Sequence, residues 1–263
     1  MKRNLCSVLI VLFFILSLAC VSCSTNTVVG SGNVITQTFD VSNFDQVNLA
    51  AFGEVFIEQG ETESLSIETD DNIMPLLDIK VRDGELVLGM EPNKIAIPSG
   101  TLIYRVTVKE LGKITIAGSG NFAVEPVQSN DMTLSLQGSG NINLKGLTAN
   151  TLSIDLNGSG NITVEGIKVK AVDTSNKASG DIKLEGQANT QKFTLGGSGN
   201  YLAGDLQTDS ADISITGSGN VTLWATNQLK ITVSGSGDVE YYGKPTVDQS
   251  GSGSGNIISL GDK

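Results

Sequence analysis

The chain has 263 residues, a formal net charge of −11, no histidine, three cysteines, 39% hydrophobic residues and 5% aromatic residues. An acidic surface cannot replace the counterions of a phosphate backbone, so no nucleic-acid partner is expected. The absence of histidine excludes Ser-His-Asp and Cys-His catalysis and the common zinc sites, and the hydrophobic fraction is too high for a disordered chain.

The first residues have the pattern of an export signal. Lys2 and Arg3 precede an apolar run from Leu5 to Leu18, which is shorter than the roughly 20 residues that a membrane-spanning helix needs. All three cysteines lie within or beside this segment, so a disulfide framework is excluded for the exported part. We assign residues 1–22 to a lipoprotein signal peptide.

Cysteine confined to the cleavage site resembles the lipobox of bacterial lipoproteins, in which the thiol is acylated and becomes the new N-terminus. Cys20 follows Ser17-Leu18-Ala19 and is the favoured lipidation site. Cys23 is the alternative, since its use would leave no spare thiol in an oxidising compartment. An ordinary secretory signal with incidental cysteines is the competing interpretation. Neither cysteine is followed by aspartate, which resembles the sorting pattern of the outer membrane, so we expect a cell-envelope protein anchored there, periplasmic or surface-exposed.

The segment after the signal is less regular. Residues 23–43 are predicted to be a linker, in which Gly30-Ser31-Gly32-Asn33 fits either an attached strand or a spacer behind the lipid. Alternating apolar and polar residues then predict short strands, with Phe52-Gly53-Glu54 at a corner between two of them. The further strands are predicted at residues 64–69, 79–82, 85–90 and 101–110, with a short turn or half-helix at 71–77.

A four-residue phrase, Gly-Ser-Gly-Asn or a close variant, dominates the rest of the chain. Its eight copies begin at Gly118, Gly138, Gly158, Ala178, Gly197, Gly217, Gly235 and Gly253, at steps of 20, 20, 20, 19, 20, 18 and 18 residues. Segments with strict period-two alternation flank each copy, for example residues 133–137 and 142–145. These are predicted to be half-buried strands, and no sustained 3.6-residue pattern leaves room for a helix.

A helix-free unit of this length cannot bury its apolar face alone and must stack on copies of itself. We therefore predict an all-β fold, a right-handed parallel β-helix (β-solenoid) of ~20-residue coils over residues 44–258, with neighbouring strands about 4.8 Å apart. The rival is an antiparallel sandwich or propeller, whose blades need about 40 to 45 residues. Gly-Ser-Gly would form the corner, where we expect positive φ angles to require glycine. The predicted inward side chains are Leu134, Leu136, Ile142, Leu144, Ile154, Leu156, Ile162 and Val164.

The Asn or Asp that follows each Gly-Ser-Gly is expected to stack in one column as a structural ladder. A row of corner serines and amides that binds an extended glycan or peptide is the functional alternative, and small residues in a tight corner are the structural one. Tyr201, Trp224, Tyr241 and Tyr242, the tyrosine and tryptophan residues of the array, are expected at the cap or the surface. The predicted ladder consists of Asn121, Asn141, Asn161, Asp181, Asn200, Asn220, Asp238 and Asn256.

The Gly-Ser-Gly-Asn-Ile phrase, preceded by Phe44-Asp45-Gln46-Val47 and the segment from Gly53 to Gly60, resembles the auto-transporter adhesin head domain called GIN. This domain is common in lipoproteins and surface proteins of Bacteroidetes, and the resemblance covers roughly residues 40–240. It implies a β-helical fold and offers no catalytic residues. The departure at Ala178-Ser179-Gly180-Asp181 puts the regularity of that coil in doubt.

Function follows from these observations as an expectation. We predict a lipid-anchored envelope or surface protein with an interaction or adhesion-like role, without catalytic residues, metal ligands or cofactors. Its partners would be the membrane, through the lipid anchor, and an extracellular glycan or protein. The alternatives are a passive envelope-structural protein and a polysaccharide-degrading β-helix enzyme. The acidic side chains occupy no repeated offset, which argues against the lyase-type site that the enzyme would need.

Lipidation is directly testable. Mass spectrometry of the mature protein should find a diacylglyceryl cysteine as the first residue, at Cys20 or, in the alternative, at Cys23. An unmodified N-terminus located beyond Thr25 would contradict the anchor.

Overall fold

The computed structural model describes residues 26–263, whose regular secondary structure is almost entirely β-strand. One short 3-10 helix, Met74–Leu76, lies where the sequence predicts a turn or half-helix. No helix within the described range is long and apolar enough to cross a membrane. The strands are β1 (Asn26–Val29), β2 (Val34–Phe39), β3 (Gln46–Leu49), β4 (Phe52–Gln59), β5 (Ser64–Asp70), β6 (Leu77–Arg82), β7 (Glu85–Met90), β8 (Lys94–Ile97), β9 (Ile103–Val108), β10 (Lys113–Ile116), β11 (Ser119–Val124), β12 (Val127–Gln128), β13 (Asp131–Leu136), β14 (Ser139–Leu144), β15 (Leu147–Thr148), β16 (Thr151–Leu156), β17 (Ile162–Asn176), β18 (Ile182–Leu195), β19 (Tyr201–Ile215), β20 (Val221–Val233), β21 (Val239–Tyr242), β22 (Thr246–Ser250) and β23 (Ile257–Gly261).

The strands stack as coils of a parallel β-solenoid, which confirms the predicted architecture. The strands that precede the corners form one column, β3–β10–β13–β16, continued by the second halves of β17 to β20 and by β22. The strands that follow the corners form a second column, β9–β4–β11–β14, continued by the first parts of β17 to β20, by β21 and by β23. A short third column contains β12, β15 and the middle of β17.

The N-terminal end departs from this sequential order. Strands β3 and β4 pair with β7 and β9 on one side and with β10 and β11 on the other. The coil formed by β7 and β9 therefore lies outside the coil that precedes it in the chain. Antiparallel strands then close the end, because β6 pairs with β7, β5 pairs with β9, and β2 pairs with β5.

The predicted linker at residues 23–43 needs correction within the described range. Strand β2 belongs to the main sheet through its antiparallel pairing with β5, and β1 pairs in parallel with β8. The early Gly-Ser-Gly-Asn phrase connects these two strands, so it belongs to the folded body and not to a spacer. The phrase does not stack on the other copies, and the pairing of its flanking strands depends on residues about 30 to 70 positions away.

The interior is a continuous apolar core that extends from Phe44 to Val239. The eight side chains that the sequence places inward, from Leu134 to Val164, are each at most 1% exposed, whereas Asp155 points outward and is exposed. Inside the later coils the rings of Phe193 and Tyr201 stack with centroids 4.0 Å apart. The period-two alternation therefore assigned the faces of these strands correctly.

The corner glycines are required for a reason other than the one that we expected. In the described array phrases, Gly140 is the only one with a positive φ, at 154°. What excludes a side chain is the previous coil: a Cβ atom at Gly160 would lie 1.4 Å from the carbonyl oxygen of Gly140. The same contact recurs from coil to coil, for example at Gly180 against Gly160, at 1.8 Å. Glycine is present because the coils touch through their backbones at the corner.

The irregular phrase Ala178-Ser179-Gly180-Asp181 keeps its register in the stack. Asn176 occupies a core position between Leu156 and Leu195 in neighbouring coils and is fully buried. Its side-chain amide donates to the carbonyl oxygen of Gly180 at 2.8 Å and accepts from the backbone N–H of Ala178 at 3.0 Å. A buried amide with both groups paired carries little desolvation cost, so this side chain supports the corner from within.

Substitution of a corner glycine tests the backbone contact. We expect Gly160→Ala to lower the free energy of unfolding by about 3 kcal/mol or more, because the added methyl group must displace a neighbouring coil. Gly100→Ala is the matched control: a Cβ there meets nothing within 4 Å, and the change should be within about 0.5 kcal/mol. Denaturant melts measure both. Equal stability of the two variants would contradict the proposed contact.

Candidate interaction surface

The eight ladder residues form one continuous column of hydrogen bonds along the corner. The side-chain oxygen of each of the first seven residues accepts from the backbone N–H of its equivalent in the next coil, at distances between 2.7 and 3.1 Å. Glu54 stands at the start of the column, where its carboxylate accepts from the side-chain amide of Asn121 at 2.7 Å. The corner at Phe52-Gly53-Glu54 is thus in register with the repeats.

This arrangement explains why either Asn or Asp fits the ladder. The backbone carbonyl of each residue already accepts a coil-to-coil bond, for example from the N–H of Ile142 to the oxygen of Asn161 at 3.0 Å. The N–H group at the corner instead uses the side-chain oxygen of the previous coil, which both an amide and a carboxylate supply. Because these oxygens are engaged within the solenoid, the ladder has a structural role, and the row is a weak candidate for a glycan site.

A different surface brings aromatic side chains together. Trp224 and Tyr242 are register partners on β20 and β21, and both are half-buried and face outward. Leu202 and Ile258 lie on the same face of the sheet and are each 42% exposed. We call these four residues the aromatic flank. Paired aromatic rings beside exposed aliphatic side chains supply the rigid apolar contact area that recognition surfaces use.

Lys263 lies over the aromatic flank. Its ammonium group is 4.8 Å from the ring centroid of Tyr242 and 5.7 Å from that of Trp224. It donates to the carbonyl oxygen of Gly204 at 2.7 Å and contacts the carboxylate of Asp205. The flank therefore combines ring faces with a carbonyl and a carboxylate, a combination suited to apolar and to cationic groups.

The expectation that Tyr201, like Trp224, Tyr241 and Tyr242, is a cap or surface residue was wrong. Its side chain is fully buried, and its hydroxyl donates to the buried side-chain oxygen of Gln191 at 3.2 Å. Burial raises the pKa of this phenol. Tyr241 packs partly against the core, which leaves Trp224 and Tyr242 as the outward pair. The pairing of Trp224 with Tyr242 could have been predicted from the sequence, because their separation of 18 residues equals the local repeat step.

The N-terminal end contains a second polar constellation, which attaches the early Gly-Ser-Gly-Asn phrase. The buried carboxylate of Asp70 accepts from the hydroxyl of Ser99 at 2.6 Å, from the N–H of Ser99 at 2.9 Å and from the N–H of Gly32 at 2.7 Å. These hydrogen bonds, those of Ser99 first, hold the pKa of Asp70 below its ordinary value. Asp71 accepts from the hydroxyl of Ser31 at 2.6 Å and from the amide of Asn33 at 2.8 Å. We call these contacts the Asp70 clamp, because they hold the segment between β1 and β2 to the folded body.

The two predicted lipidation sites, Cys20 and Cys23, lie outside the described residues. Across residues 26–263, no group of three or more His, Cys, Asp or Glu side chains is arranged to bind a metal ion.

A packed solenoid whose corner groups bond to one another, with an aromatic flank on its outer face, belongs to the class of β-solenoid head domains. Residues 43–167 and 145–245 match the family described as "Putative auto-transporter adhesin, head GIN domain", and the chain belongs to this family. Membership indicates a cell-surface or envelope protein with an adhesion-like role.

Solved structures of Bacteroidetes proteins share the fold. The chain is similar to a "putative lipid binding protein" from Parabacteroides distasonis, with 28% identity and a TM-score of 0.83, over 89% of this chain and 100% of that one. A "putative adhesin" from Bacteroides fragilis matches at 26% identity and a TM-score of 0.67, over 89% and 100% of the two chains. A second P. distasonis protein, also described as a putative adhesin, has 22% identity, a TM-score of 0.83 and the same coverage, and it supports the fold alone. No curated protein matches the chain.

Two substitutions of one ladder residue, of which one keeps the side-chain oxygen and one removes it, test whether this acceptor stabilises the stack. We expect Asn141→Leu to lower the free energy of unfolding by about 1 to 2 kcal/mol, because the N–H of Asn161 loses its partner. Asn141→Asp keeps this acceptor, as Asp181 and Asp238 do naturally, and loses only the bond from the side-chain amide of Asn141 to Asn121, so its loss should be smaller, about 0.5 kcal/mol. Thermal or denaturant melts measure the difference. Equal losses in the two variants would show that the side-chain oxygen is not what matters.

Proposed function

We propose that this protein is a lipid-anchored, non-catalytic adhesion module of the outer membrane, which uses the aromatic flank to bind an extracellular glycan or protein. The observation that carries the proposal is the side-by-side placement of Trp224 and Tyr242 on the outer face of a rigid solenoid. Tryptophan and tyrosine are the residues most enriched at energetically dominant contact sites. Their rings also offer flat apolar faces with polar edges, which suit sugar rings and protein side chains alike.

The anchoring part of the proposal rests on the N-terminal sequence. A basic start, the apolar run from Leu5 to Leu18 and cysteines at positions 20 and 23 support acylation at Cys20, or at Cys23 in the alternative. The similarity to a protein described as lipid binding agrees with a lipid-associated location. The net charge of −11 disfavours electrostatic attraction to anionic lipids, and the acyl chains are then the main link to the membrane.

A passive envelope-structural role is the second candidate, and one observation favours it. The ammonium group of Lys263 already lies over the rings of Trp224 and Tyr242, so in this role the flank fastens the segment around Lys263 to the solenoid. A polysaccharide-degrading enzyme is the third. It would release reducing sugars from a polysaccharide, whereas an adhesion module would bind the polymer without cleaving it.

Binding by the aromatic flank can be measured with a glycan array and with pull-down of surface proteins, followed by titration of the retained ligand. We expect Trp224→Ala and Tyr242→Ala each to weaken binding about 10-fold or more, since such aromatic contacts are worth about 2 kcal/mol or more. Phe56→Ala is the matched control, because Phe56 is also an outward aromatic residue, 41% exposed and covered by Arg105 at 5.3 Å, on an earlier coil.

The outcomes separate the three candidates. Loss of affinity in the Trp224→Ala and Tyr242→Ala variants, with unchanged affinity in the Phe56→Ala variant, supports the adhesion module. Absence of any retained glycan or protein favours the structural role. Release of reducing sugar ends, lost in neither flank variant, would indicate the enzyme.

A further inference from the structure

The small sheet of β1 and β8 has an unusual outer face. It is separate from the main sheet, and its parallel register places Val29 beside Ile97 and Thr27 beside Ile95. The intervening side chains, Val28 and Ala96, point toward the body, where Ala96 is buried. The outer face is apolar and open to solvent, with Val29 65%, Ile97 52% and Ile95 45% exposed. We call these three side chains the apolar patch.

Exposed large hydrophobic side chains are concentrated at this end. The described residues contain eight of them, and three belong to the apolar patch. A fourth, Val34, is 49% exposed and lies at the start of β2, five residues after Val29. Scattered single residues of this kind are ordinary on protein surfaces, but a cluster on one small sheet indicates a contact surface.

The patch is held firmly to the solenoid. The N–H of Gly30 donates to the carbonyl oxygen of Ile97 at 2.8 Å, and the side-chain amide of Asn72 donates to the carbonyl oxygen of Val29 at 2.8 Å. The Asp70 clamp joins the two connections that follow β1 and β8, since it binds both Gly32 and Ser99. Any contact that the patch makes therefore orients the whole body.

The position of the patch relative to the anchor suggests its occupant. Strand β1 begins at Asn26, three positions after Cys23 and six after Cys20. An extended chain spans at most about 3.6 Å per residue, so an acylated cysteine would lie within about 10 to 20 Å of β1. A bilayer that holds the acyl chains is then the nearest apolar medium to the patch.

We propose that the apolar patch enters the interfacial layer of the membrane beside the lipid anchor and sets the orientation of the solenoid. This inference rests on the proposed acylation. Lys94 is the one charged residue of the two strands, and the chain as a whole is acidic, so the fitting partner is a zwitterionic lipid surface. A shallow apolar contact next to an acyl anchor is a familiar way in which proteins reinforce and orient their attachment.

A tryptophan introduced into the patch would report its depth. The full lipidated chain carrying Ile97→Trp in a Trp224→Phe background, which otherwise contains no tryptophan, is reconstituted into phosphatidylcholine vesicles with and without brominated acyl chains. We expect the indole emission to shift to shorter wavelength and to be quenched by the brominated lipid. Val29→Trp provides an independent second position. Leu260→Trp, at a 39% exposed site in the last coil, is the matched control and should be neither shifted nor quenched.

Mass spectrometry of the same preparation distinguishes the two ways in which the inference can fail. An acylated chain whose patch indoles are unquenched would overturn the membrane contact and leave the anchor standing. A chain without acyl groups would overturn both. Equal quenching of the patch and of the Leu260→Trp control would overturn the orientation, and a concentration-dependent dimer with unquenched indoles would assign the patch to a second copy.

Discussion

The contact on which the rest of this structure depends is the bare backbone-to-backbone approach of successive corners. A carbonyl oxygen occupies the space where a Cβ would be, so glycine is needed in each coil. At the same place one N–H per coil is directed to a side-chain oxygen of the coil before it, which calls for Asn or Asp. These two requirements keep the coil length near 20 residues and hold the strands of both columns in register. The apolar interior then follows from simple alternation along each strand.

The repeat that dominates the sequence is engaged in its own packing. The polar groups of the corner ladder bond to one another, and the interior is filled by aliphatic and aromatic side chains. The apolar side chains left open to solvent include the rings of Trp224 and Tyr242 on one flank and the outer face of β1 and β8 at one end. A scaffold of this kind can keep its fold while its outward side chains change.

The regular half of the molecule could be predicted from sequence because its information is local and repeated. Each Gly-Ser-Gly-Asn phrase marks a corner, and the period-two strands beside it reveal their buried faces, as Leu156 and Asp155 illustrate. The sequence does not show which of two reasons requires glycine at the corners, since a positive φ angle and a close backbone approach both call for this residue. Most strands of the N-terminal end were predicted, but their pairing was not, because it joins segments such as 26–29 and 94–97, which share no repeat. Trp224 and Tyr242 could have been paired from their spacing alone.

The out-of-order coil at the N-terminal end also has a consequence for how the chain folds. Strand β3 lies between β7 and β10, so its two neighbours are supplied by residues about 40 and 67 positions later in the chain. Closing such long loops is the costly, slow part of assembly. Every later coil needs only the next 18 to 20 residues and a finished edge to add to. We therefore expect residues 26–124 to form first, as a folding nucleus, and the array to elongate from it coil by coil toward the C-terminus.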